Sequence, residues 1–113
     1  MRPVIDMESL TTIGGVKHIP SNAGDWAYTW LTIVKDGIVY ASTSYWEEML
    51  RQRPALSDEP WWRAEYHQTC PQEMPPGPPA VALQWTGTGR IDGVSGDADL
   101  DMVYADTLDA LLA

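Results

Sequence analysis

The sequence has no phenylalanine, only two lysines and a single cysteine. One cysteine excludes an internal disulfide, and with two histidines it is too little for a tetrahedral Cys/His zinc site. Bases are scarce as well: seven Lys and Arg against sixteen Asp and Glu leave a formal charge of -9. Direct nucleic-acid binding is disfavoured, because it depends on cationic side chains displacing counterions from phosphates. No stretch reaches the roughly 18 apolar residues of a spanning helix. The opening Met1-Arg2-Pro3-Val4-Ile5-Asp6 lacks the apolar run of a secretory leader. A cytoplasmic protein without membrane contact is expected.

What is present is ordinary in bulk and unusual in detail. The chain is 44% hydrophobic and 20% charged, a globular balance, and its 113 residues suffice for one core and one domain. With six Trp, five Tyr and no Phe, every large aromatic ring carries a polar N–H or O–H. That chemistry suits surfaces that are apolar yet must hydrogen-bond, although a small domain also uses Trp simply to fill its core.

The strongest local signal predicts a hairpin. Residues 27–35 are rich in β-branched and aromatic side chains, Asp36-Gly37 suits a type I′ turn, and residues 38–43 return. Residues 8–19 could add a strand interrupted at Gly14-Gly15. Ser44 and Glu47 have capping-box spacing ahead of a helix over 45–53, which Pro54 ends. A second helix is predicted over 61–68. The connector 71–79, with five prolines, excludes helix and inner strand. Val81, Leu83 and Trp85 alternate with polar or small residues as a strand, and Gly87-Thr88-Gly89 would turn it toward 90–94. A stripe through Leu100, Val103, Tyr104, Leu108, Leu111 and Leu112 predicts an amphipathic helix over 97–112. The expected fold is α+β: an antiparallel sheet of two hairpins, two short central helices, and a C-terminal amphipathic helix packed against it.

No constellation carries chemistry convincingly. His67 and Cys70 could pair as base and thiol, but the spacing is unspecific and reads equally as a buried cysteine. Asp97, Asp99 and Asp101 resemble the start of a calcium loop, yet Met102 and Leu108 stand where it needs glycine and glutamate. The glycines around Gly87-Thr88-Gly89 lack the lysine of a phosphate loop and read as turns. Paired acids beside aromatic rings are what a sugar-cleaving site would use, and Glu47, Glu48, Glu59 and Glu65 lie near Trp46, Trp61 and Trp62 in sequence. Neighbouring acids on a helix point apart, so these read better as solvated helix faces.

Charge is distributed unevenly. Residues 77–113 hold six Asp and only Arg90 as a base. On the expected helix, Asp99, Asp106 and Asp109 would line one side over about 15 Å at roughly 1.5 Å per residue. Such a line has spacing of the order of phosphates along one strand. The reading that follows is a small, non-enzymatic, acidic inhibitor of a basic, nucleic-acid-binding target, of the physical type of nuclease-toxin immunity proteins or phage anti-CRISPR proteins. Its contact residues would be Asp99, Asp106, Asp109, Trp46, Trp61 and Trp62, its partner a basic protein, with no catalytic residues, metal or cofactor. The rival readings are a Trp-rich ligand- or carbohydrate-binding domain and a phage or homo-oligomeric structural component.

Overall fold

A computed structural model describes residues 2–104 and Leu108. In chain order the elements are β1 (Val4–Asp6), β2 (Thr11–Ile13), β3 (Val16–His18), α1 (Ala23–Ile33), β4 (Ile38–Ser42), α2 (Thr43–Gln52), a 3-10 turn at Pro54–Asp58, β5 (Trp61–Ala64), β6 (Ala82–Gly89) and β7 (Ala98–Met102). The main sheet runs β1-β4-β5-β6-β7, and β2 and β3 form a separate pair. β1, β4, β5 and β6 are mutually parallel; only β7 is antiparallel, to β6.

The expected antiparallel sheet of two hairpins is therefore incorrect. The sheet is mixed and mostly parallel, and parallel neighbours require crossovers. α1 lies in the one from β1 to β4, α2 in the one from β4 to β5, and the irregular segment 65–81 connects β5 to β6. Residues 27–35 are not a strand: Ala23–Ile33 is helical despite its Thr, Ile and Trp content. Tertiary packing overrides propensity here. Its inward face is small rather than apolar, with Ala23, Gly24 and Ala27 buried, and so leaves little trace in a hydropathy pattern. A Cβ on Gly24 would lie 2.8 Å from the Met49 carbonyl oxygen, and the Gly24 N–H donates to Gln52 Oε1 at 2.8 Å. α1 thus sits directly on α2. Asp36 takes the positive φ of 59°. Gly37 is needed for room, since a Cβ there would fall 2.3 Å from the Trp30 ring. The two-residue glycine turn occurs at Gly14-Gly15, whose φ values are 58° and 81° and which joins β2 to β3.

α2 matches the expected helix closely, but its cap is Ser42, whose hydroxyl accepts from Tyr45 N at 3.2 Å. The helix expected over 61–68 is absent, because Trp61–Ala64 is an inner strand between β4 and β6. The strand at 81–86 exists and continues to Gly89, so Gly87-Thr88-Gly89 is strand and the return strand is β7. Ala98–Met102 lies in β7 and not in a helix, which removes the first part of the expected C-terminal helix. Val103 and Tyr104 carry neither helix nor strand, and beyond them only Leu108 is among the described residues. The 71–79 segment carries neither helix nor strand.

The core lies between the sheet and the two helices. Val39, Ala41 and Trp61 meet Ala23, Ala27, Tyr45, Trp46, Met49 and Leu56. Trp46 and Trp61 stack at 5.4 Å with planes 10° apart, and the Trp61 indole N–H donates to the Ala41 carbonyl at 3.0 Å. Arg63, on the same side of β5, is 2% exposed. Its guanidinium donates to Thr43 Oγ1, Glu65 Oε1, Pro75 O and Pro76 O at 2.7–3.0 Å, tying the proline-rich segment to the end of β5. Among the described residues, no helix is long and apolar enough to cross a membrane.

Candidate active site

The opposite face of the sheet forms the site. Side chains alternate across a strand, so Val39 and Ala41 enter the core while Tyr40 faces away from it, and Trp61 is buried while Trp62 turns outward. Strand register aligns these outward residues in a row: Asp6 beside Tyr40, Tyr40 beside Trp62, and Trp62 beside Ala82. Two residues further along β6, Gln84 stands opposite Asp101 of β7. Glu8 joins Asp6 on this face because the Met7 N–H donates to the Tyr40 carbonyl at 2.8 Å, prolonging the β1 alternation past its last residue. Together Val4, Asp6, Glu8, Tyr40, Trp62, Tyr66, Gln84, Asp99 and Asp101 line a cleft of about 410 Å³.

Four carboxyls meet three aromatic rings there. Hydrogen bonding with the Asp6 side chain does most to hold Glu8 above the usual carboxylate range; partial burial and the charges of Asp6 and Asp99 push the same way. Two carboxylates in contact cannot both ionise cheaply, so Glu8 retains a proton to higher pH. Burial also raises the Asp101 carboxyl, with help from the charge of Asp99, and the Trp62 indole N–H opposes this by donating to Asp101 Oδ1 at 3.0 Å. The Tyr40 hydroxyl donates to Gln84 Oε1. Burial, followed by the nearby Glu8, Tyr66, Asp6 and Asp99, pushes the Tyr40 hydroxyl up to about 12, so it remains a neutral donor. Tyr40 and Trp62 meet edge to face at 5.2 Å. Tyr66 is 64% exposed and forms one wall, close over Gly87: a Cβ on that glycine would meet the Tyr66 hydroxyl at 3.0 Å and Asp99 Oδ1 at 3.4 Å.

A carboxyl held above the usual carboxylate range, further carboxyls facing it and aromatic platforms are the groups that acid–base cleavage of a glycosidic bond uses. Among the described residues, no group of three or more His, Cys, Asp or Glu is placed to hold a metal ion.

Of the residues expected to make contacts, Asp99 and Trp62 lie in this cleft, on strands rather than helices. Trp46 and Trp61 are 1% and 0% exposed and belong to the core. Asp106 and Asp109 lie outside the described residues. His67 bonds Glu65 Oε2 at 2.9 Å rather than the thiol, and Cys70 Sγ approaches Pro71 O at 3.6 Å. Sequence reasoning missed Asp6, Glu8, Tyr40, Tyr66 and Gln84, and weighed Asp101 only within a calcium-loop pattern that it set aside. The signal available was period two: Asp6-Met7-Glu8 and Asp99-Leu100-Asp101 each place two acids on one face of a strand.

Comparison with known proteins agrees with this geometry. The family described as "Glycosyl hydrolases family 25" matches residues 1–94. The autolytic lysozyme of Clostridium acetobutylicum is 32% identical over 98 residues, covering 86% of this chain and 28% of that protein. A crystal structure of the CTP1L endolysin superposes with a TM-score of 0.60 and 19% identity over 96% of this chain and 37% of that one. The chain thus spans well under half the length of either relative. These matches overturn the expected non-enzymatic inhibitor, in its immunity-protein and anti-CRISPR forms alike: the kinship is with glycosidases.

Proposed function

The chain belongs to glycosyl hydrolases family 25, and from that premise we propose that it carries the acid–base carboxyls of a lysozyme-type glycosidase acting on a cell-wall polysaccharide. The observation that carries this reading is the placing of Asp6 and Glu8 side by side in a cleft with Tyr40, Trp62 and Tyr66, where Asp6 holds the Glu8 carboxyl above the usual carboxylate range. Glu8 is the general acid. It gives its proton to the oxygen between two sugars as the bond from that oxygen to the anomeric carbon breaks, releasing one sugar as an alcohol. Positive charge then develops on the anomeric carbon and its ring oxygen, and the nearby carboxylates Asp6 and Asp99 stabilise it electrostatically. Water completes the reaction by bonding to the anomeric carbon and returning a proton to Glu8. The Tyr66 and Trp62 rings offer apolar faces against which sugar rings stack.

The test is release of reducing ends from purified peptidoglycan by the wild type and by Glu8→Gln. Removing a general acid costs about 10²–10⁴-fold in rate. The expected result is a loss of that size with an unchanged melting curve. Equal rates for Glu8→Gln and wild type would refute the assignment.

A further inference from the structure

The main sheet ends on one side at β1, which among the described residues pairs only with β4. Hydrogen-bond direction alternates along this strand. The Pro3 carbonyl accepts from Ile38 N and the Met7 N–H donates to Tyr40 O, both at 2.8 Å, so residues 3, 5 and 7 turn their backbone groups toward β4. Val4 and Asp6 therefore point their N–H and C=O groups away from the sheet. Many edge strands are blunted by a proline that removes an outward donor. Pro3 does not do this, because it stands at an inward position where only its carbonyl is used. The β1 edge keeps every donor and acceptor that a further strand would need.

Beside this edge, on the helix-bearing side of the sheet, lies an apolar groove. Ile5 projects to that side, opposite to Val4 and Asp6, and with Trp26, Trp30 and Ile33 of α1 it lines a depression of about 480 Å³. Trp26 is 66% exposed and Ile33 76%. Large apolar side chains left exposed together mark interaction surfaces. A partner that satisfies both features must bring a strand with an apolar helix beside it, and a second copy of this chain brings both from the same place.

Charge selects the same partner. In an antiparallel pair, opposite residues exchange either two backbone bonds or none, and the outward-facing Val4 and Asp6 belong to exchanging pairs. Pairing centred on Val4 sets Val4 against Val4 of the other copy, and Arg2 against its Asp6, twice over by symmetry. Opposite charges directly across a sheet are stabilising and like charges destabilising. The Arg2 Nε donates to the Asp36 carbonyl at 2.9 Å, which holds the side chain near the edge; attraction to a carboxylate adds to that bond and does not replace it. The opposite edge of the sheet behaves differently. The charged residues of β7 are Asp99 and Asp101, so pairing it with a copy of itself would bring acids together.

We infer that the β1 edge and the α1 groove form one self-complementary interface, through which two copies of this chain join as an isologous dimer with a continuous sheet. The twofold axis runs perpendicular to the sheet, so both helix layers lie on one side and the two α1 grooves face each other across the seam. Arg2 of the second copy then stands beside Asp6, adding a base to a cleft whose own lining holds acids and no base. The inference does not depend on the glycosidase reading, because its test reads mass and not activity.

The test is sedimentation equilibrium of the full chain over a concentration series. The wild type should fit a monomer–dimer equilibrium. Arg2→Glu alone sets acid against acid at both ends of the seam, and Asp6→Arg alone sets base against base. Each should raise the dimer dissociation constant by about tenfold or more. An equimolar mixture of the two should dimerise about as tightly as wild type, because the new acid of one copy meets the new base of the other while the native Arg2 meets the native Asp6. Trp26→Glu, at an exposed position of α1, should also dissociate the dimer and leave the far-ultraviolet circular dichroism spectrum unchanged. A wild type that stays monomeric at every concentration, an assembly larger than a dimer, or a mixture no tighter than its two components would each overturn the proposal.

Discussion

Replacing Arg63 by methionine isolates the part of the structure that joins the fold to the site. Arg63 is 2% exposed and its guanidinium makes four hydrogen bonds, to Thr43, Glu65, Pro75 and Pro76. It also lies 5.4 Å from the centre of the Trp61 ring. Replacing a whole buried ionic cluster by apolar residues can be nearly neutral, but here only the cation goes and its partners remain. The carbonyls of Pro75 and Pro76 would lose their donor at the sheet end, while Glu65, 30% exposed, can turn partly to water. Breaking one side of a buried pair costs about 3–5 kcal/mol. The exposure of Glu65 argues for the lower half of that range. A chain of this length loses about 4 °C of melting temperature per kcal/mol. Arg63→Met should therefore melt about 12–16 °C lower by circular dichroism. Arg63→Lys, keeping the charge but not the planar fork, should recover only part of it. Limited proteolysis should show cleavage appearing first within 71–79. A melting point within about 4 °C of wild type, equivalent to roughly 1 kcal/mol, would refute the argument that this one side chain anchors the segment.

Three further outcomes follow from the same packing and charges. Activity should fall as pH rises through the raised Glu8 value, because the acid must be protonated; Asp6→Asn removes the raising contact and charge, so that limb of the pH–rate profile should move to lower pH, and an unmoved limb would exclude Glu8 as its origin. Trp46→Ala should lose about 3–5 kcal/mol in denaturant titration, whereas Trp62→Ala, at the cleft, should weaken saccharide binding with a smaller loss of stability; equal effects on both properties would deny the division between core and cleft. Gly24→Val should destabilise by about 1–3 kcal/mol through forced separation of α1 from α2, and a neutral result by thermal melting would show that the helices can part freely.

Several elements were legible in the residues alone. Residues 42–54 contain a polar cap, a helix-forming run and a closing proline, all local features, and the structure moves the cap to Ser42 and the helix to Thr43–Gln52. The β4 and β6 strands announced themselves through β-branched and alternating residues, and the five prolines of 71–79 precluded regular structure there. Each is determined by backbone sterics or by the nearest few neighbours.

Parallel pairing, by contrast, is written in no short window. Residues 23–33 have strand-like composition, and they become a helix because β4 lies parallel to β1 and the connection must cross back over the sheet. The contact that holds this helix depends on the smallness of Gly24 and Ala27 against α2, which carries no hydropathy signal. The site was divided in the same way. The sequence by itself placed Asp6 with Glu8 and Asp99 with Asp101 at alternate positions, a spacing that puts each pair on one face only where the segment is a strand, and residues 97–112 read as a helix. Only the tertiary structure decided that both faces turn to one cleft, and that Asp6 and its neighbours give Glu8 a proton-holding environment. A carboxyl's protonation depends on the charges within a few ångströms of it, and these come from opposite ends of the chain.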